Sequence, residues 1–274
     1  MDKQHERAAS FRALHESGVF VVPNVFDGAS AAIMQRLGFK ALATSSAACA
    51  ATLGKLDGEV TREEALVHAR LIVSVSDCPV TADLENGFGH APETVAETIR
   101  LAIVTGLVGG SIEDASGDVR APIYELEHAV ERVAAAVAEA HGERVHFVLT
   151  ARAENFLHGR ADLDDTVRRL QAFERAGADV LFAPGLPDLA AVRTVCSALK
   201  KPVNFMVGMR GKSFTVAELA AAGVRRISLS TTLYRAAMTG LLAAAREVRE
   251  HGTFGYLDGL VTGGELEKYL RPSA

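Results

Sequence analysis

No tryptophan occurs in this chain, and aromatic residues make up 6% of it while hydrophobic residues as a group make up 49%. Its core must therefore be filled by Ala, Val, Leu and Ile rather than by stacked rings. Cysteine is scarce. Cys49, Cys78 and Cys196 lie far apart, outside any CxxC or Cys/His ligand spacing, which excludes a thiolate metal centre and a disulfide framework and predicts free thiols in a reducing, cytoplasmic compartment. Basic clusters are absent as well: with a net charge of -5 and scattered Lys and Arg, the chain offers no nucleic-acid footprint. No apolar run is long enough to span a membrane, and the polar opening MDKQHERAASFRALHESG lacks the apolar centre of a signal peptide. No strand-like run is followed by G-x-G-x-x-G, and there is no P-loop, which argues against an open dinucleotide-binding sheet.

What the chain does have is regular alternation. Apolar, strand-like runs fall at 19–27, 41–47, 79–85, 109–114, 147–155, 180–185, 202–208 and 226–231. Helical spacing fills 28–37, 61–76, 92–105, 125–141, 162–176, 188–199, 215–222 and 234–251, after a leading helix and before a last short one at 264–270. Thr61 with Glu64 three residues on has capping-box spacing, and Pro92 stands in a first helical turn. Strand and helix alternate about eight times, the count of a closed (β/α)8 barrel. The expectation is one α/β barrel domain over residues 1–274, with an N-terminal helix and a C-terminal helical tail.

The stretch PVTADLENGFG (79–89) concentrates the chemistry. Val80, Ala82 and Leu84 alternate with Thr81, Asp83 and Glu85, which puts the two acids side by side on one strand face. Two inward carboxylates repel unless a cation or proton lies between them. With Glu113, and Asp57 from a preceding loop, they make an all-oxygen set suited to Mg2+ or Mn2+. The plain alternative is that the acids are solvated or paired with Lys and Arg.

Barrel enzymes work at the carboxyl ends of their strands, and polar residues collect there: Asn24 and Asp27, Ser45 and Ser46, Asp83 and Glu85, Glu113 and Asp114, Arg152 and Glu154, Asn204, Ser228 and Ser230. Alternation turns Glu113 inward and Asp114 away. Arg152 offers a bidentate fork for a carboxylate or phosphonate, or else neutralises Glu154 or Glu113 in a structural network. Ser45, Ser46 and the adjoining Ala47 could hold a second carboxylate or simply pack. The loop GMRGKS (208–213) follows a late strand, where barrels often bind phosphate, and reads equally as an exposed basic loop. The nine histidines are not spaced as ligands, and Cys49 reads as core.

Taken together, Asp83-Leu84-Glu85-Asn86-Gly87-Phe88-Gly89, Ile112-Glu113-Asp114, Ala151-Arg152 and the opening segment PNVFDGASAAI (23–33) resemble the motifs of the isocitrate lyase and phosphoenolpyruvate mutase superfamily, in its order and over nearly the whole chain. The resemblance implies a barrel whose last helix is exchanged between subunits of a homodimer or homotetramer. It implies magnesium at Asp83, with Glu85, Glu113 and Asp57 acting mainly through water. It assigns catalysis to Arg152, Ser45 and Glu113, and substrate binding to Ser45, Ser46, Ala47, Asp83, Arg152 and Asn204. Substrates in the family are 2-oxo acids or compounds that yield them, such as 2-methylisocitrate, oxaloacetate and phosphonopyruvate, all passing through an enolate.

Two departures stand out. The second acid of the signature is Glu85 where the family has Asp. The loop after Glu113, where the lyases carry K-[KR]-C-G-H, reads Ala115-Ser116-Gly117-Asp118-Val119-Arg120-Ala121-Pro122, without Cys, His or Lys; only Asp118 and Arg120 could act there. The expected function is a magnesium-dependent lyase that breaks a carbon–carbon bond beside a 2-oxo acid. The alternatives are carbon–phosphorus chemistry on a phosphonate and a non-catalytic 2-oxo acid binding protein.

Overall fold

The computed structural model describes residues 3–142 and 145–270. Helix α1 (Lys3–Leu14) is polar on its outer side and buries Ala8 and Phe11. Phe11, fully buried, meets His15 and Phe20 edge-on at the bottom of the barrel. A Cβ at Gly109 would lie 2.8 Å from its ring, so the glycine that opens the fourth strand makes room for this plug. Gln4 fastens the helix from the other side, its amide donating to the carbonyls of Ile103 and Leu107 at 2.8 and 3.0 Å.

Eight parallel strands follow, each leading into a helix: β1 (Phe20–Val22), α2 (Gly28–Arg36), β2 (Leu42–Ala43), α3 (Ser46–Thr52) and α4 (Arg62–Val75), β3 (Val80–Asp83), α5 (Pro92–Val104), β4 (Gly109–Glu113) and α6 (Leu126–Ala140). Then come β5 (Val148–Arg152), α7 (Leu163–Arg175), β6 (Val180–Phe182), α8 (Leu189–Ala198), β7 (Val203–Met206), α9 (Val216–Ala221), β8 (Arg226–Ser228), α10 (Thr232–His251) and α11 (Gly263–Leu270). The sheet order β1-β8-β7-β6-β5-β4-β3-β2 leaves one seam. A parallel bridge between Asn24 and Ala43 closes it, with Val25 N–H donating to the Ala43 carbonyl at 2.8 Å. The Asn24 side chain binds the closure on both sides, donating to Thr44 O and accepting from Leu229 N–H. This is the (β/α)8 barrel expected from the alternation.

The core is aliphatic, as the scarcity of rings requires: buried Ala, Val, Leu and Ile line the strands, joined by a few Phe. The Thr61–Glu64 capping box forms with both reciprocal bonds, and Asp27 caps α2 through Ser30 in the same manner. All eight strands are shorter than their apolar runs, and at two of them the local cause is plain. The run 41–47 yields only Leu42–Ala43, because the Ser45 hydroxyl accepts from Ala48 N–H and turns the chain into α3. The run 79–85 ends at Asp83, and Glu85 turns into the left-handed region with φ of 50°. Cys49 is buried and Cys78 and Cys196 are half-buried, all unpaired. Burial, reinforced for Cys49 by Glu85 and Glu64, pushes the Cys49 and Cys196 thiols up to about 11, which makes both poor nucleophiles. No described helix is long and apolar enough to cross a membrane.

Candidate active site

One line of register partners crosses half the barrel: Glu113, Arg152, Phe182, Asn204 and Arg226 stand side by side on β4, β5, β6, β7 and β8. Asp83 pairs in turn with Ser111. The alternation that put these residues at strand ends in the sequence thus brings most of them to one place. They open on two joined cavities. An outer one of about 820 Å³ is lined by Asp57, Glu85, Phe88, Glu113, Glu154 and His158. An inner one of about 290 Å³ is lined by Ser45, Ser46, Ala47, Asp83, Asn204 and Arg226. Arg152, Ser46 and Asp57 border both.

The centre is a guanidinium surrounded by acids. Arg152 Nη1 lies 3.0 Å from Asp83 Oδ1, Nη2 3.1 Å from Glu113 Oε2 and Nε 2.8 Å from Glu154 Oε1, with the Phe182 ring 5.2 Å from its guanidinium carbon. Burial alone would favour the neutral form, but Glu154, Glu113 and Asp83 outweigh it and hold Arg152 firmly protonated. Asp83 also accepts from Ser46 on its other oxygen, N–H at 3.3 Å and Oγ at 3.1 Å, and from Ser111 Oγ at 3.4 Å. Asp114 turns away, as the alternation predicted, and pairs with Arg169 at 3.1 Å.

Acids outnumber bases here. Asp57, Asp83, Glu85, Glu113 and Glu154 gather about Arg152, the other guanidinium groups being Arg62 on the outer cavity and Arg226 on the inner one, and the imbalance shows in the raised carboxyls. Burial first, then Asp83 and Asp57, raise Glu85 from 4.5 to about 7. Burial likewise raises Glu113 well above the carboxylate range, with Glu154, Asp83 and Glu85 adding to it and only Arg152 opposing. Asp57 is raised too, by burial and Asp83, against the Ser46 hydroxyl. An all-oxygen donor set with excess negative charge fits a hard divalent cation. Asp83, Glu85, Glu113 and Asp57 are the residues that would hold it. No three of their oxygens converge to within 4.8 Å; among the described residues only His141, His146 and Asp179 do. That trio lies at the opposite end of the barrel, before β5 and β6, and corrects the expectation that the histidines are not spaced as ligands. Dispersed acids suit an ion that keeps several waters.

A carboxyl with a higher pKa in the folded chain binds its proton more tightly there, so it stabilises the fold below 4.5 and that contribution is lost as pH rises through about 7. Because Glu85 is partly open to screening water, the loss in metal-free protein is on the order of 1–2 kcal/mol. Melting curves in chelator between about pH 5 and 8 should fall accordingly for the wild type, and Glu85→Gln should flatten that fall. An unchanged slope in the variant would dismiss Glu85 as its source.

Several predicted residues have other duties. Ser45 is the cap of α3 and Asp27 the cap of α2. The loop 115–122 folds on itself: Asp118 accepts from Arg120 N–H at 2.9 Å, Ser116 N–H donates to Pro122 O, and the Arg120 side chain is 92% exposed. Of that loop, only Ala115 and Gly117 line the outer cavity. Lys212 of the GMRGKS loop donates to Gly185 O at 3.2 Å, and the loop lines neither cavity.

Other functional residues were missed. Ser111 and Arg226 lie two residues from Glu113 and Ser228 on the same faces, so the period-two pattern would have found both. Arg132, on α6, gave no local signal. It reaches the carbonyls of Asn86, Gly89 and His90 and stacks over Tyr124 with 4.4 Å to the ring centroid. It thereby fixes the loop after β3 that carries Glu85, where Gly87 at φ of 81° packs on Val95. Arg132→Met should orphan three carbonyls and destabilise the protein by about 2–4 kcal/mol in urea melts. A loss within experimental error would show that water replaces the guanidinium.

A parallel barrel that gathers acids, guanidinium groups and hydroxyls at the carboxyl ends of its strands has the layout of a barrel enzyme's active site. Residues 11–249 match the family described as phosphoenolpyruvate phosphomutase. The 2-methylisocitrate lyase of Escherichia coli K12 is 30% identical, over 96% of this chain and 91% of its own length. Among solved structures, a Burkholderia cenocepacia J2315 protein provisionally described as a lyase/mutase superposes with a TM-score of 0.96 at 48% identity, covering 98% of this chain and 97% of the other. An oxaloacetate acetylhydrolase holding its product oxalate superposes with a TM-score of 0.87 at 28% identity, covering 96% and 93%. The chain belongs to the phosphoenolpyruvate phosphomutase family, within the isocitrate lyase and phosphoenolpyruvate mutase superfamily. It is an enzyme of that superfamily's carbon–carbon lyase type.

Proposed function

We propose that this enzyme uses Mg2+ or Mn2+ to break the carbon–carbon bond beside the carbonyl of a 2-oxo acid, by decarboxylation or retro-aldol cleavage. The observation that carries this reading is the surplus of carboxylates around Arg152, three of which are raised by burial and mutual repulsion. Asp83, Asp57, Glu85 and Glu113 would hold a divalent cation, which when bound would supply positive charge to an enolate oxygen developing as the bond breaks. The chain's own groups do the rest. Ser46 fixes the Asp83 carboxylate through N–H and hydroxyl. Arg152, its Nε anchored on Glu154 and its fork on Asp83 and Glu113, is the group that would hold a substrate carboxylate. Ser45, Ser46 and Ala47 line the inner cavity where that carboxylate would lie.

The loop 115–122 contains no thiol or imidazole, so a substrate that needs the lyases' Cys acid is disfavoured. The carbon–phosphorus reading loses the GMRGKS loop as a phosphonate holder, since its Lys212 is spent on Gly185. Pyruvate formation from oxaloacetate, 2-methylisocitrate and phosphonopyruvate, each with Mg2+ and with chelator, is the deciding assay. Turnover indifferent to chelator would remove the metal from the proposal, and phosphate release with pyruvate would favour the phosphonate chemistry. Binding of a 2-oxo acid without turnover would leave the non-catalytic reading.

The assembly belongs to the same proposal. Helix α10 runs 20 residues without one buried, and α11 buries none, leaving Leu241, Leu242, Val248 and Phe254 exposed. A helix of that composition calls for a partner surface, and a second copy exchanging its tail supplies one. Light scattering should give a dimer or tetramer; a monomer at micromolar concentration would exclude the exchange.

A further inference from the structure

At the amino-terminal end of the strands, two imidazoles converge on one carboxylate. His141 follows the last residue of α6, His146 stands two residues before β5, and Asp179 immediately precedes β6. His141 Nε2 lies 2.9 Å from Asp179 Oδ2, and His146 Nε2 lies 3.5 Å from Oδ1. The two rings stack, with centroids 4.6 Å apart and planes 13° from parallel, and each presents its Nε2 to the carboxylate. One ligand atom from each residue falls within 4.8 Å of the other two.

The carboxylate is held in place independently of the histidines. Asp179 Oδ2 accepts from Leu149 N–H at 2.9 Å, and Asp179 N–H donates to Leu149 O at the same distance. Two bonds to β5 thus set it as a ligand in advance. An ion pair would account for one histidine, yet it leaves the second ring stacked on the first at a spacing where two positive charges repel. A shared divalent cation takes a neutral lone pair from each ring and the charge of the carboxylate, which removes the conflict. The spacing suits such an ion. Ligands about 2.0–2.2 Å from a tetrahedral metal stand roughly 3.3–3.6 Å from one another, and the observed 2.9 and 3.5 Å come within about half an ångström of that. His141 and His146 are separated by four residues, inside the H-x3–5-H range of zinc sites. Side-chain exposures of 30%, 38% and 16% leave the group open to an ion from solvent.

We propose that His141, His146 and Asp179 form a second metal site, which takes Zn2+ or a similar borderline transition-metal ion, with water completing its shell. Imidazole donors set it apart from the all-oxygen cluster around Asp83, which suits harder cations. The bound ion staples the turn between α6 and β5 to the start of β6. Because β5 runs from Val148 to Arg152, about 13 Å of extended strand separates the staple from the active site, so it acts on the fold and not on the reacting atoms.

The test uses untagged protein with excess Mg2+, titrated with Zn2+ by calorimetry and with Co2+ as a spectroscopic probe. Since the acids at the other end of the barrel can also take Zn2+, the wild type is compared with His146→Gln and with Asp179→Asn, which keeps an acceptor for Leu149 N–H. Wild type should bind one more equivalent of Zn2+ than either variant, or bind it about a hundredfold or more tightly. Its melting temperature should also rise further with Zn2+ than theirs. Co2+ should give visible ligand-field bands in the wild type that His141→Gln and His146→Gln both lose. Equal stoichiometry, affinity and melting shifts in wild type and variants would overturn the proposal and leave a plain ion pair between Asp179 and His141. Co2+ bands that vanish in Asp83→Ala but persist in His146→Gln would overturn it as well.

Discussion

Arg152→Gln is expected to destabilise the protein by about 3–5 kcal/mol and to abolish turnover, the largest combined effect of any single replacement here. The guanidinium is the only cation among Asp83, Glu113 and Glu154, at 3.0, 3.1 and 2.8 Å. Glutamine restores at most one hydrogen bond and no charge. Glu154 suffers most, since it is 2% exposed and its backbone is tied to Asp114, so it can neither reach water nor move away. The deficit should depend on conditions in a way that a packing defect would not. Protonation relieves the repulsion, so the loss should shrink as pH falls toward about 5. Mg2+ should recover part of the stability by compensating Asp83 and Glu113, without restoring turnover. Urea melts at two pH values, with and without Mg2+, would check each point. A loss below about 1 kcal/mol that ignores pH would show that the acids are already protonated and that Arg152 is not their counter-ion.

That network marks the limit of what the sequence disclosed. Alternation at period two was enough to place Asp83, Glu113, Arg152 and Asn204 at one end of a barrel, because strand periodicity and the carboxyl-end rule are local properties. It overreached at Glu85, which shares the cavity but leaves the strand, since the left-handed turn at φ of 50° is set by the loop that Arg132 grips from α6. It gave no sign that the Ser45 hydroxyl, on the lining of the inner cavity, also caps a helix that begins inside an apolar run. Whether Arg152 would face a substrate or its own neighbours was undecidable from spacing, because two of its acid partners, Asp83 and Glu113, lie on other strands. The structure gives a joint answer: the fork is held by internal acids, and those same acids are the ones a cation would draw off. Arg226 escaped notice for the opposite reason, lying where an apolar run begins and looking like a strand boundary rather than an interior residue.

Asp83→Ala separates chemistry from folding, and it should do so in the opposite sense to Arg152→Gln. Turnover is expected to fall about a thousandfold or more, because the variant loses the one acid that faces Ser46, Ser111 and Arg152 together. The metal-free fold should change by only about 1 kcal/mol. Four hydrogen-bond donors besides Arg152 lose an acceptor, yet Arg152 keeps Glu113 and Glu154, and the carboxyls of Glu85 and Glu113 lose a repelling neighbour. Glu85 should accordingly titrate closer to an ordinary carboxylate. The rise in melting temperature on adding Mg2+, which reports binding to the folded state alone, should vanish in the variant while the metal-free melting temperature stays near that of wild type. If Mg2+ still stabilised Asp83→Ala to the wild-type extent, the cation would have to be held by Glu85, Glu113 and Asp57 without it, and Asp83 would be left as a partner for Arg152 alone.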